Sequence, residues 1–429
     1  MLISQHKIPG VSKILAVALQ NGASAEALSM KLGKAIYGTY APHSGWTDRE
    51  FDVAFLVKAI GGPRLLYALQ KAEAYPSLST LRKRKPIGEV TMSTGKPSNT
   101  EFNSNISSLL GGKGRKPPEH PKYGQVIVID GAAIEEAICF DFKRRQLLGL
   151  YHEHSGNIKT LVEDIEDIQN VATALREMET CHYGKDATVL GIAPITGNEN
   201  YHVTPLVLSS SCKTEDGQTL ANWVGKFIEA YRKHPSGEKL HGQIYTLATD
   251  GESSFCKLCF TLGLQEKVDN NTALGHKLSG LKGLNLWTGA QGMLTTCDPK
   301  HIIKWFVTMI RSAKGIQLGH THISSGDTLR ALQHLPGMTP SKAALLLNPA
   351  DKQNVPKAVN LIQSLLDLPN EGEIYHNVLP SEKEQIKNVK FIGKVLSYFL
   401  LPSIKVEMSL SEQLQDLSTY SHLITALYK

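Results

Sequence analysis

Two short β-branched runs that each stop on an aspartate constrain this chain more than any other feature. The first is Gln125-Val126-Ile127-Val128-Ile129-Asp130, and the second is Ile244-Tyr245-Thr246-Leu247-Ala248-Thr249-Asp250. Runs this short and this rich in Val, Ile and Thr read as strands rather than helices. A buried strand that ends on a carboxylate brings an acid to the edge of a sheet. Two such strands can set two acids side by side and hold a divalent cation. The plainer alternative is that an aspartate after a strand simply forms a turn, as Asp250-Gly251 would.

The surrounding segments alternate in type. Residues 138–142 and 146–151 are strand-like, and their short spacing makes them antiparallel neighbours. Residues 188–193 and 202–209 form a second strand pair. Leu220, Val224, Phe227, Ile228 and Tyr231 share one face of a helix over 220–232, which Pro235-Ser236-Gly237 ends. A helix over 253–262 follows the second aspartate run, with Gly263 at its end. This order predicts an α/β (α+β) fold: a mixed sheet with flanking helices, and the two aspartate strands near its centre if they are neighbours.

Residues 1–80 read as helical. Apolar residues at 51, 54, 55, 56, 59 and 60 mark a helix that Gly61-Gly62-Pro63 ends, and 64–74 repeats the pattern. Arg82-Lys83-Arg84-Lys85 is a basic knot, and Gly111-Gly112-Lys113-Gly114-Arg115-Lys116 is the basic centre of a stretch rich in Ser, Gly, Asn, Pro and Lys. Helical patterns return over 301–313, 354–368, 388–401 and 410–428. The predicted organisation is a helical region 1–85, a basic flexible linker 86–121, a sheet-bearing core 122–299 and a helical region 300–429. The helix-like end Ala426-Leu427-Tyr428-Lys429 makes a fragment of a longer reading frame the expectation.

Composition narrows the partners. The 429 residues are 41% hydrophobic and 20% charged, which supports a sizeable core and excludes wholesale disorder. A net charge of +6 permits a polyanion partner without demanding one. Cysteines at 139, 181, 212, 256, 259 and 297 are sparse and mostly in apolar segments, the pattern of reduced intracellular protein. No apolar run reaches the roughly 18–20 residues of a membrane span, so a cytosolic or nuclear protein is expected.

Other motifs are weaker. His152-Glu153-His154 could turn two imidazoles to one side of a strand, but a third ligand is not evident and a solvated strand end is the better reading. Cys256-Lys257-Leu258-Cys259 has the spacing of half a zinc site without a matching second half, and reads as a packed helix face. The glycines from Gly275 to Gly292 lack the Gly-Lys-Ser/Thr of a phosphate loop.

Four stretches together resemble the P element and THAP-type family of DNA transposases, whose catalytic domain is ribonuclease H-like. They are Ile129-Asp130-Gly131-Ala132-Ala133-Ile134 through Leu147-Leu148-Gly149; the hairpin around Pro205-Leu206-Val207-Leu208; Leu247-Ala248-Thr249-Asp250-Gly251-Glu252-Ser253-Ser254; and Cys297-Asp298-Pro299-Lys300-His301-Ile302-Ile303-Lys304. The resemblance covers roughly residues 45–429 and implies a nuclear protein that cleaves and joins DNA. Two Asp and one Glu would hold two Mg2+ or Mn2+ ions roughly 3.5–4 Å apart. Asp130 and Asp250 match the two Asp, as both catalytic and metal-binding residues.

The chain departs from the family in three places. Its amino-terminal zinc finger is missing, since no cysteine precedes Cys139. Residues 300–370 would correspond to part of a GTP-binding insertion but carry no Lys-Thr phosphate loop. The third acid is unplaced: Glu407 and Glu412 are the nearest late glutamates, and Ser409-Leu410-Ser411-Glu412 reads instead as a helix cap.

Three readings follow. One is a transposase-like protein, catalytically incomplete for want of the third acid, with DNA and a second copy of itself as partners and no membrane. Another is a non-catalytic DNA-binding or interaction protein derived from a transposase. A metal hydrolase built on His152 and His154 is a third and weaker reading.

Overall fold

The computed structural model describes residues 15–16, 19–20, 22–36, 46–73, 75–84, 88–111, 123–151, 153, 158–177, 181–196, 202–212, 214–280, 285–351, 353–370 and 378–428. The chain divides into two units, Met1–Gly88 and Glu89–Lys429.

The first unit is helical. Helices α1 (Ala25–Ile36), α2 (Asp48–Glu73) and α3 (Leu78–Lys83) follow one another. The expected break at Gly61-Gly62-Pro63 is a kink inside α2. Gly62 has φ 74°, which a side chain would resist, and Pro63 restarts the helix with its fixed φ. Phe51, Ala54, Leu66 and Leu81 form the core. Arg84, from the basic knot, lies 3.8 Å over the Phe51 ring and pairs with Asp48, so this cation is used inside the unit. Lys85 lies outside the described residues.

The second unit holds a five-stranded mixed sheet. Its strands are β1 (Gln125–Ala133), β4 (Asp186–Pro194), β5 (Thr204–Ser211), β6 (Ile244–Thr249) and β9 (Leu294–Cys297), in the order β5-β4-β1-β6-β9. The hairpin β2 (Cys139–Asp141) and β3 (Gln146–Leu148) forms a separate two-stranded sheet, and β7 (Glu266–Lys267) pairs with β8 (Trp287–Thr288). β4 runs antiparallel to both β1 and β5, whereas β6 runs parallel to both β1 and β9. The two aspartate strands are therefore neighbours and parallel. Residue alternation sends Ile127 and Ile129 of β1 inward, with Leu190, Ile192 and Leu247 beside them. Helices α4 (Asn99–Leu109), α6 (Gly217–Lys233) and α8 (Ser253–Gly263) cover this core with Phe102, Phe227, Tyr231 and Phe255, and the short α7 (Glu238–His241) comes between α6 and β6 in the chain.

α4 corrects the expectation of a flexible linker over 86–121. Ser98 and Glu101 make a reciprocal capping box, and Phe102 and Ile106 are fully buried one turn apart. Asn105 Nδ2 donates to the carbonyls of Leu206 (2.9 Å) and Thr91 (3.0 Å), and Ser93 N–H donates to Leu208 O, tying the segment to β5. Residues 112–116, the core of the basic loop, lie outside the described residues.

A small cluster of Leu147, Leu150, Val171, Ala174 and Cys181 packs β3 against α5 (Ile165–Arg176). The α9 helix (Ala273–Leu278) follows β7. Beyond β9 the chain is mainly helical: α10 (Pro299–Arg311), the hairpin β10 (Ile316–Leu318) and β11 (Thr321–Ile323), α11 (Ser325–Leu332), α12 (Pro340–Leu346), α13 (Val355–Leu366), α14 (Pro380–Ile404) and α15 (Leu410–Tyr428). These elements have their own core, built on Ile303, Val307, Leu361, Leu365, Val389 and Leu396. Arg311, buried at the end of α10, donates from Nε to Leu346 O (2.9 Å) and from Nη1 to Asp351 O (2.7 Å). No helix among the described residues is long and apolar enough to cross a membrane.

Candidate functional site

Asp130 is exposed near the end of β1, on the side opposite Ile127 and Ile129. Its Oδ1 accepts the Gly131 N–H at 2.8 Å. Asp250 is the first residue beyond β6 and is half-buried; its Oδ1 accepts the Glu252 N–H at 2.9 Å. That bond is the turn-forming role expected of an Asp-Gly pair, and it also fixes the direction of the carboxylate.

The register brings the two acids together. Val126, Ile127 and Val128 of β1 pair with Thr246, Leu247 and Ala248 of β6. The pairing ends at Val128 and Ala248; the same offset carried two residues further puts Asp130 level with Asp250. Asp250 lies just past the carboxyl end of β6, and Asp130 lies beyond the last residue of β1 that pairs with β6, toward the strand ends where open sheets commonly receive ligands.

The next strand adds a third acid that the sequence reading did not single out. Thr249 pairs with Cys297, and the Asp298 N–H donates to Thr249 O at 2.7 Å, so Asp298 follows Asp250 in the row. Asp298 is already engaged as the N-cap of α10. Its Oδ1 accepts the Lys300 N–H at 3.0 Å, and its Oδ2 lies 3.0 Å from His301 Nδ1. Among the described residues, no group of three or more His, Cys, Asp or Glu is arranged to hold a metal ion. Glu412 is the expected cap: its Oε2 accepts from the Ser409 N–H (2.8 Å) and Oγ (2.7 Å), and these bonds lower its pKa.

Thiols surround the Asp250 turn. Cys256 Sγ lies 3.2 Å from Gly251 O, and Cys259 Sγ lies 3.7 Å from Thr249 Oγ1. Cys259 packs against the main core as expected, but Cys256 is exposed. Burial pushes the Cys297 thiol pKa up, and the neighbouring Cys256 and Asp250 push it the same way. Burial also raises Cys259, against the pull of the Thr249 hydroxyl. Raised thiols resist becoming the thiolates that soft metals require. The two strand-end carboxylates are hard oxygen donors, which fit Mg2+ or Mn2+, ions that keep several waters and need few protein ligands.

Gly251 closes the turn with φ +82°, and a Cβ there would lie 3.0 Å from Trp305 Cη2. An indole thus rests on the residue after Asp250. His152 and His154, the alternative metal pair, lie outside the described residues. No family model, curated protein or solved structure matches the chain.

Proposed function

We propose that this chain is a transposase-like protein with a ribonuclease H-like core, which cleaves and joins DNA strands with Mg2+ or Mn2+. The observation that carries this reading is the parallel β1–β6 register, whose offset carried two residues past Val128 and Ala248 puts Asp130 level with Asp250. The mixed sheet with its first strand central and helices packed on it supports the fold assignment. DNA as substrate, a nuclear site of action and assembly into a homo-oligomer on DNA belong to the same proposal.

Asp130 and Asp250 would hold the cation. When bound, it would supply Lewis-acid activation of the attacking hydroxyl or water and charge stabilisation at the leaving oxygen. The chain's own contribution is orientation. The Gly131 and Glu252 N–H groups each hold one oxygen of their aspartate, and the paired strands fix the spacing.

The test is cleavage of a labelled DNA duplex with Mg2+ or Mn2+ by the parent protein and by Asp130→Asn and Asp250→Asn. Each substitution is expected to remove more activity than the about 10–100-fold that loss of an outer-shell partner costs. Cleavage that survives both changes would overturn the assignment.

A second reading has its own support. Asp298, the next acid in the row, is committed to capping α10. A non-catalytic DNA-binding protein derived from a transposase needs no third ligand. It predicts salt-sensitive DNA binding and no cleavage by the parent protein.

A further inference from the structure

Trp305 lies about two turns into α10 and is 51% exposed. Its Cη2 and Cζ2 atoms stand 3.0 and 3.7 Å from where a Gly251 methyl would be. One end of the ring is therefore seated on the Asp250-Gly251-Glu252 turn, and much of the rest faces water. His301 precedes it by one turn on the same helix face and is paired with Asp298. Lys300 is exposed at the start of the helix, whereas Lys304 is half-buried and donates from Nζ to Gln353 Oε1 at 3.1 Å. The site thus combines an anchored aromatic surface, the exposed Lys300 and the Asp250 turn, all within one turn and one helix.

We propose that Trp305 is a stacking platform for one unpaired base of the DNA strand whose phosphate lies at Asp130 and Asp250. This rests on the function proposed above and adds a substrate contact to it. A half-exposed indole leaves apolar area in water that a stacked base would cover. Stacking accepts any base because every base has a π-face, so the contact holds a strand in place without reading its sequence. Lys300 would meet a flanking phosphate, which makes binding salt-dependent. The bland alternative is that Trp305 only covers Gly251.

The experiment measures binding of a fluorescein-labelled single-stranded oligonucleotide by the full chain carrying Asp130→Asn and Asp250→Asn, which prevents cleavage. Trp305→Ala is expected to weaken binding about 5- to 100-fold, whereas Trp305→Phe keeps affinity within about 3-fold. Tryptophan fluorescence should be quenched on binding, and Trp305→Ala should lose most of that quench. If Trp305→Ala fails to fold, Trp305→Leu keeps bulk over Gly251 without a π-face and gives the same comparison. Unchanged affinity and quench in a folded Ala or Leu variant overturns the platform. Cleavage of duplex DNA by otherwise unaltered protein is scored in parallel. Cleavage with binding indifferent to Trp305 sinks the platform and spares the proposed function. Trp305-dependent binding without cleavage supports the platform and sinks the catalytic reading.

Discussion

The two halves of the main sheet treat their polar residues in opposite ways. At the β4–β5 side, Thr188, Ser209, Ser210 and Ser211 are buried, and Glu215 is 8% exposed. Ser211 Oγ donates to Glu153 Oε1 at 2.7 Å, and Trp223 Nε1 donates to Glu215 Oε2 at 3.3 Å. At the β1–β6–β9 side, Asp130 is exposed, and Asp250 and Asp298 are half-buried. The first set serves the fold, since a buried polar group must keep its partners. The second retains access to solvent, which a cation or a phosphate requires. Position at a strand end does not by itself make a carboxylate functional; the accompanying burial decides which role it can take.

The sharpest way to break this comparison is to perturb one acid in each half. Asp130→Ala should leave stability within about 0.5 kcal/mol, as for other exposed positions, while metal-dependent cleavage falls by more than about 100-fold. Thermal melting and a cleavage assay on the same preparation check both. Next in size, Trp223→Phe removes a donor from a buried carboxylate and should cost about 1–3 kcal/mol in urea unfolding, with cleavage per folded molecule unchanged. Equal loss of activity in both variants would erase the distinction between the halves.

Gly251→Ala tests the turn between β6 and α8, on which the Trp305 ring of α10 rests. Its φ of +82° costs a side chain about 1–2 kcal/mol, and the new methyl would press on Trp305. Lower stability together with altered tryptophan emission is expected, and an unchanged emission spectrum would show that the ring does not sit there.

The smallest effect concerns acid. Asp216 caps α6 through Thr219, whose hydroxyl and N–H hold the carboxyl pKa below its ordinary value. The folded pKa is depressed, so this stabilisation is present above the unfolded value of about 3.9 and is lost as pH falls through the lower folded pKa. Asp216→Asn, which can still cap, should therefore flatten the low-pH end of the stability curve. An identical acid profile in both proteins would remove Asp216 from the account.

The strands that carry Asp130 and Asp250 were legible in the sequence because their signal is local: a β-branched run and an abrupt end. α4 was equally local but masked by composition. Ser98-Asn99-Thr100-Glu101 is a capping-box pattern, and Phe102 and Ile106 are spaced for one face, yet the surrounding Ser, Gly and Pro residues read as a loop. β9 could not be read, because Leu294-Thr295-Thr296-Cys297 becomes a strand only through its pairing with β6. The row that includes Asp298 is a property of register between strands far apart in the chain. Trp305 likewise gains its meaning from a glycine 54 positions earlier that leaves room for its ring.

α10 has a mechanical consequence. The helix begins on the carboxylate row, where Asp298 caps it, and ends at Arg311, which is clamped to two carbonyls of the helical core. Its 13 residues form a rod about 20 Å long, fastened at both ends. A rod so fastened transmits tilt. Repacking around Leu346 and Asp351 is therefore expected to swing Trp305 and the sheet edge together, giving the helical region leverage over the acids without touching them.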